Sequence, residues 1–96
     1  MKMLLIAYDT FIDEQVLGCL ASCGVPGYTK LAAIVGRGET GTKEDTPAWP
    51  GTTSVLFTAA PDEQAEDLRK RLACLREGHG GRAGLKVFQI PLDMTS

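Results

Sequence analysis

The chain has 96 residues, of which 44% are hydrophobic, and a formal net charge of −2. That is the size of one domain, with no basic footprint for nucleic acid and no apolar run near the roughly 20 residues of a membrane-spanning helix. The composition is ordinary for a soluble globular chain.

Met3 to Tyr8 is a short apolar run between Lys2 and Asp9, which fits a buried strand. Asp9 ends the run too early for a signal peptide, so a cytoplasmic location is expected. Asp9 or Thr10 can cap a following helix. Phe11, Ile12, Val16, Leu17, Leu20 and Ala21 recur at helical spacing, and Asp13 and Glu14 fall in the first turn, where the helix dipole favours acids. Gly24 supplies the stop and Pro26 prevents continuation, so the helix is expected over about 11–23. Cys19 and Cys23 share one of its faces. With Cys74 they make an odd count, which argues against a disulfide framework. They read as small hydrophobic fillers or as half of a metal site.

Tyr28 to Val35 reads as a second strand. The segment that follows holds Gly36, Gly38, Gly41, Pro47, Pro50 and Gly51, and no core pattern survives such punctuation. It is read as a long loop, about 37–51. Thr52 to Ala60 is rich in β-branched residues and reads as a third strand, antiparallel to the second. Pro61 suits the first turn of a helix. Asp62, Glu63, Glu66 and Asp67 lie early in that helix and Arg69, Lys70, Arg71 and Arg76 late, the charge order the dipole prefers. Ala65, Leu68, Leu72 and Leu75 form its apolar stripe. Glu66 with Lys70 and Asp67 with Arg71 are spaced as i,i+4 ion pairs, and the helix is expected to end before Gly78. Gly78 to Gly84 is a flexible loop, and Leu85 to Leu92 alternates as a half-exposed fourth strand should.

The order βαββαβ makes the fold class α+β, ferredoxin-like. Two helices are expected on one face of a four-stranded antiparallel sheet, in a single domain spanning 1–96. The other face of that sheet carries Leu, Ile, Val and Phe, and a face so apolar calls for a partner, so self-association is expected.

Several stretches together resemble the PII (nitrogen regulatory P-II) and PII-like signalling family, as a divergent member. They are the βαββαβ order, Gly27-Tyr28-Thr29 leading into the second strand, the Gly36-Arg37-Gly38 turn before the long loop, Pro61-Asp62-Glu63-Gln64-Ala65 opening the second helix, and Lys86-Val87-Phe88 opening the last strand. The resemblance implies a homotrimer with nucleotide clefts between subunits and a mobile T-loop, here 37–51, that engages a partner transporter or enzyme. By position it implies ligand contacts at Thr29, Gly36, Arg37, Gly38 and Lys86, with Arg82 as a compensating charge, and ATP, ADP, AMP or a related nucleotide as effector. Glycines let a ligand approach backbone N–H groups and lysine offers phosphate a point charge. Turn geometry alone also accounts for Gly36 and Gly38.

The sequence departs from the family's pattern at several points. Thr40 stands where the family has a glutamine that chelates magnesium and 2-oxoglutarate. The loop has no tyrosine, Ala83-Gly84-Leu85-Lys86 replaces Gly-Asp-Gly-Lys, and the family's C-terminal arginines are missing. Glu39, Thr40, Glu44, Asp45 and Trp49 are the loop residues offered to a partner. Trp49 is either an exposed anchor or folds back over the cleft. The alternative is a trimeric divalent-metal-binding protein of the divalent-cation-tolerance type and the same fold, with Cys74, His79, Glu39, Glu44 and Asp45 as candidate ligands at poor density. No nucleophile and base lie beside one another in the sequence, so a regulator rather than an enzyme is expected.

Overall fold

The apolar run at the start of the sequence becomes a middle strand of a sheet. A computed structural model describes residues 1–25, 27–34, 37–38, 41–42, 53–81 and 83–93. Strand β1 (Lys2–Asp9) leads through a 3-10 turn (Thr10–Ile12) into helix α1 (Asp13–Ser22). Then come β2 (Thr29–Ile34), the two-residue strands β3 (Arg37–Gly38) and β4 (Gly41–Thr42), β5 (Thr53–Ala60), helix α2 (Asp62–Gly78) and β6 (Lys86–Pro91). The main sheet has the order β2-β5-β1-β6, with every neighbouring pair antiparallel. This is the ferredoxin-like arrangement, and β2 and β5 pair as expected.

Alternation along the strands divides the sheet into two faces. Leu4, Ile6 and Tyr8 of β1 and Leu56 of β5 are fully buried and cluster with Val16 and Leu20 of α1 and Leu68 and Leu72 of α2. Both helices therefore cover one face, and each large side chain sealed there contributes roughly 1.5–3 kcal/mol. The intervening residues oppose one another in rows across the other face. One row is Ile90, Met3 and Ala59; the next is Phe88, Leu5, Phe57 and Thr29; the third is Lys86, Ala7, Val55 and Leu31. Phe88, Leu31 and Ile90 stay 55, 51 and 41% exposed. The apolar open face that the sequence leads one to expect is present.

Both helices end in the same way. Gly24 N–H donates to the Ala21 carbonyl and Val25 N–H to that of Leu20, at 3.1 and 3.0 Å. Gly80 N–H donates to Glu77 and Gly81 N–H to Arg76, at 3.0 and 3.1 Å. This is the Schellman cap, whose left-handed residue is Gly24 (φ 72°) in one case and Gly80 (φ 62°) in the other. Val25, buried, supplies the apolar contact that accompanies the first cap.

Several expectations are corrected in detail. α1 begins at Asp13 behind a 3-10 turn; Asp9 makes no side-chain cap, and the Thr10 hydroxyl meets that of Ser54. Pro61 is the N-cap of α2 rather than a residue of its first turn, and α2 runs through Gly78 because the capping glycine is Gly80. Glu66 of α2 pairs with Arg69, at i,i+3 and 2.5 Å. Within the segment read as loop, β3 and β4 form a short hairpin, with Arg37 opposite Thr42 and Gly38 opposite Gly41.

Candidate ligand-binding site

Thr29 lies in the middle row of the sheet, opposite Phe57, and Lys86 lies toward the end of the sheet from which the 35–52 segment leaves. Asp9 opposes Thr53 there, Ile34 also opposes Thr53, and Lys86 opposes Ala7. Asp9 N–H donates to the Ala83 carbonyl at 2.8 Å, tying the loop before β6 to the end of β1.

Thr29 is the first residue of β2 and is exposed on the open face. Two side chains hold its strand. Thr58 of β5 donates its hydroxyl to the Gly27 carbonyl just before it, and Lys30 just after it reaches across to α1. A shallow depression lined by Gly27, Tyr28, Thr29, Phe57 and Thr58 lies at this point. Lys86 opens β6, exposed, on the same face.

Beneath this end runs a chain of polar side chains. Lys30 Nζ lies 2.6 Å from Asp13 Oδ2, and the Tyr8 hydroxyl donates to Asp13 Oδ1 at 2.5 Å. Thr10 Oγ1 and Ser54 Oγ are 3.0 Å apart. Burial pushes the Asp13 carboxyl up, but the hydrogen bonds from Lys30 and Tyr8 and the charge of Lys30 outweigh it, so its pKa falls below the ordinary value. Burial first, and then the bond to Asp13 and its charge, push the Tyr8 phenol well above its ordinary value. Tyr8 is therefore a standing donor. None of these connections is legible in the sequence. Tyr8 reads there as the end of an apolar run and Asp13 as a helix-dipole acid. The one available signal is a tyrosine at an inward strand position, because a buried phenol needs a partner.

The backbone trace is that of known proteins. It superimposes on CPII from Thiomonas intermedia K12 bound to ADP, AMP and acetate, with a TM-score of 0.76 and 21% identity, over 99% of this chain and 88% of that one. A second structure of CPII, a nitrogen regulatory PII-like protein bound to ADP, AMP and bicarbonate, gives a TM-score of 0.73 and 22% identity over 92% of this chain and 81% of that one. A protein from Thermus thermophilus described as a PII-like signalling protein gives 0.66 and 20%, over 92% and 82%. The chain has the PII-like fold. No family model matches the sequence, and no curated protein does.

In a PII-like fold the predicted ligand residues sort as follows. Thr29 and Lys86 share the open face but sit on its two opposite edge strands, which are about 14 Å apart at the usual strand spacing, and in neighbouring rows. Arg37 and Gly38 form β3. Gly36 and Arg82, and the loop residues Glu39, Thr40, Glu44, Asp45 and Trp49, lie outside the described residues. Of the metal-ligand candidates, Cys74 is exposed on α2. His79 Nε2 is 2.9 Å from Gln15 Oε1, and its ring meets Phe11 edge-on at 5.5 Å. Among the described residues no three His, Cys, Asp or Glu side chains are grouped as metal ligands would be, and no helix is long and apolar enough to cross a membrane. Cys19 and Cys23 are half-buried against the core, as the filler reading expects.

Proposed function

We propose that this chain is a PII-like signal-transduction regulator. An adenine nucleotide, alone or with a small anion such as bicarbonate, binds between copies in a homotrimer and changes the 37–51 loop, which contacts a partner transporter or enzyme. The observation that carries the reading is the position of Thr29 and Lys86 on opposite edges of one apolar sheet face. A ligand touching both within one copy would lay its charged phosphates across Phe57, Leu5, Val55 and Ala7. A ligand held between the β2 edge of one copy and the β6 edge of the next avoids that desolvation cost. The nucleotides in the CPII structures support adenine as the base. Gly36, Gly38, Arg37 and Arg82 complete the proposed phosphate contacts, and Glu39, Thr40, Glu44, Asp45 and Trp49 the partner surface. The ligand acts through its differential affinity for two loop states.

The test is calorimetric titration with ATP, ADP and AMP, with and without bicarbonate, beside Trp49 fluorescence and light scattering. The expected result is a trimer that binds at least one nucleotide and changes its Trp49 emission. No heat with any nucleotide at millimolar concentration overturns the nucleotide reading.

A further inference from the structure

β2 is an edge strand with a single sheet neighbour, β5. Its register with β5 holds over Thr29, Lys30 and Leu31 and shifts before Ile34. The sheet thus holds β2 from one side only, at Thr29, Lys30, Leu31 and, past the shift, Ile34. Two side-chain ties supplement this pairing. The Thr58 hydroxyl holds the Gly27 carbonyl before Thr29, and Lys30 is bonded to Asp13 after it. Asp13 is in turn gripped at its other oxygen by Tyr8 of β1, which is fully buried and cannot move with the edge.

We propose that the Tyr8–Asp13–Lys30 linkage is a clamp that positions the ligand site, fixing the rotation of β2 so that Thr29 faces the open side of the sheet. Each link joins a different element: β1 at Tyr8, the first turn of α1 at Asp13, and β2 at Lys30. The carboxylate accepts from one donor at each oxygen, which fixes its plane, and Lys30 is fixed by it. Lys30 points to the helix side, so it is a positioning residue and touches no ligand. An edge strand freed of this tie rotates about its pairing with β5 alone, which moves Thr29 without unfolding the sheet.

The inference rests on the nucleotide reading above, and its test separates the two. Lys30→Met removes the ammonium while keeping the apolar stem. Lys30→Arg keeps a cation that can reach the carboxylate. Amide exchange is followed at residues 29–34 and, as an internal reference, across β1, with ADP affinity measured well below the unfolding temperature. In Lys30→Met, exchange at 29–34 rises roughly tenfold relative to β1, because local opening becomes cheaper there, and ADP binds about fivefold more weakly or worse as the site loses its preorganisation. Lys30→Arg restores both. A merely stabilising ion pair raises exchange evenly and leaves the affinity of the folded protein unchanged, and that result overturns the clamp. If the unaltered protein binds no nucleotide, it is the proposed function that fails. The exchange comparison then decides the clamp alone, with unchanged local exchange counting against it.

Discussion

Asp13 is the residue on which most of the polar structure converges. It carries two strong hydrogen bonds, to Lys30 and Tyr8, in a side chain that is 22% exposed. Its carboxyl titrates below the usual carboxylate value because those bonds and the Lys30 charge overcome the opposing effect of burial. A carboxyl whose folded pKa lies below its unfolded value stabilises the fold above the unfolded value near 4, and that stability is lost as pH falls through the folded value. Asp13→Asn is therefore expected to cost about 1.5–3 kcal/mol at pH 7, the range for hydrogen bonds to a charged group. The difference from the unaltered protein should shrink toward pH 3, and urea unfolding at the two pH values checks it. Tyr8 contributes no pH dependence below the ordinary phenol value near 10 and simply remains a donor there. The sequence could not show this cluster. Hydrophobic period locates Tyr8 and dipole preference locates Asp13. The bond to Lys30 joins residues 17 apart in the chain, and no local pattern encodes which lysine comes back to which acid.

At the scale of elements the sequence is far more legible, because strands and helices follow from periods of two and 3.6. The four main strands and both helices lie where their apolar patterns put them. Apart from the short β3–β4 hairpin, the misreadings lie at helix ends, where side-chain spacing says less than backbone conformation. Gly24 reads correctly as a stop because the apolar period ends beside it. Gly78 reads as a stop too, yet it is the last helical residue, and Gly80 takes the left-handed position. The two kinds of glycine should answer oppositely to alanine. At Gly24 an added Cβ would meet Gln64 Nε2 at 3.4 Å, an ordinary contact, so the cost comes from φ 72° and amounts to about 1–2 kcal/mol. At Gly78 a Cβ meets nothing within 4 Å, so Gly78→Ala should stabilise by about 0.4–1 kcal/mol through the unfolded chain. Thermal unfolding should move down in the first variant and up in the second, by about 4–8 °C per kcal/mol for a domain of this size.

At the scale of the whole molecule, the open sheet face decides the behaviour. Phe88, Leu31 and Ile90 leave about half of their surface to water on a face whose inner rows are Leu5, Met3, Val55 and Phe57. Covering it with other copies recovers roughly 25 cal/mol for each Å² of apolar surface removed from water. A charge on this face, Phe88→Glu on the β6 edge strand, is expected to convert the proposed assembly to monomer in light scattering while leaving the helix-side core and the circular dichroism intact. The same geometry makes the proposed ligand site a property of the assembly. With Thr29 on one edge and Lys86 on the other, a cleft between copies takes one residue from each. Thr29→Trp and Lys86→Glu should each abolish ADP binding in a uniform assembly. When the two variants are unfolded together and refolded as a mixture, about a quarter of the junctions join an intact Thr29 edge to an intact Lys86 edge, and ADP binding returns at that fraction. A site contained within one copy predicts a different result, because every chain in the mixture then carries a damaged site. Assembly confirmed by light scattering, ADP bound by the unaltered protein and none bound by the mixture would place the site inside a single chain and remove the intersubunit cleft from the mechanism.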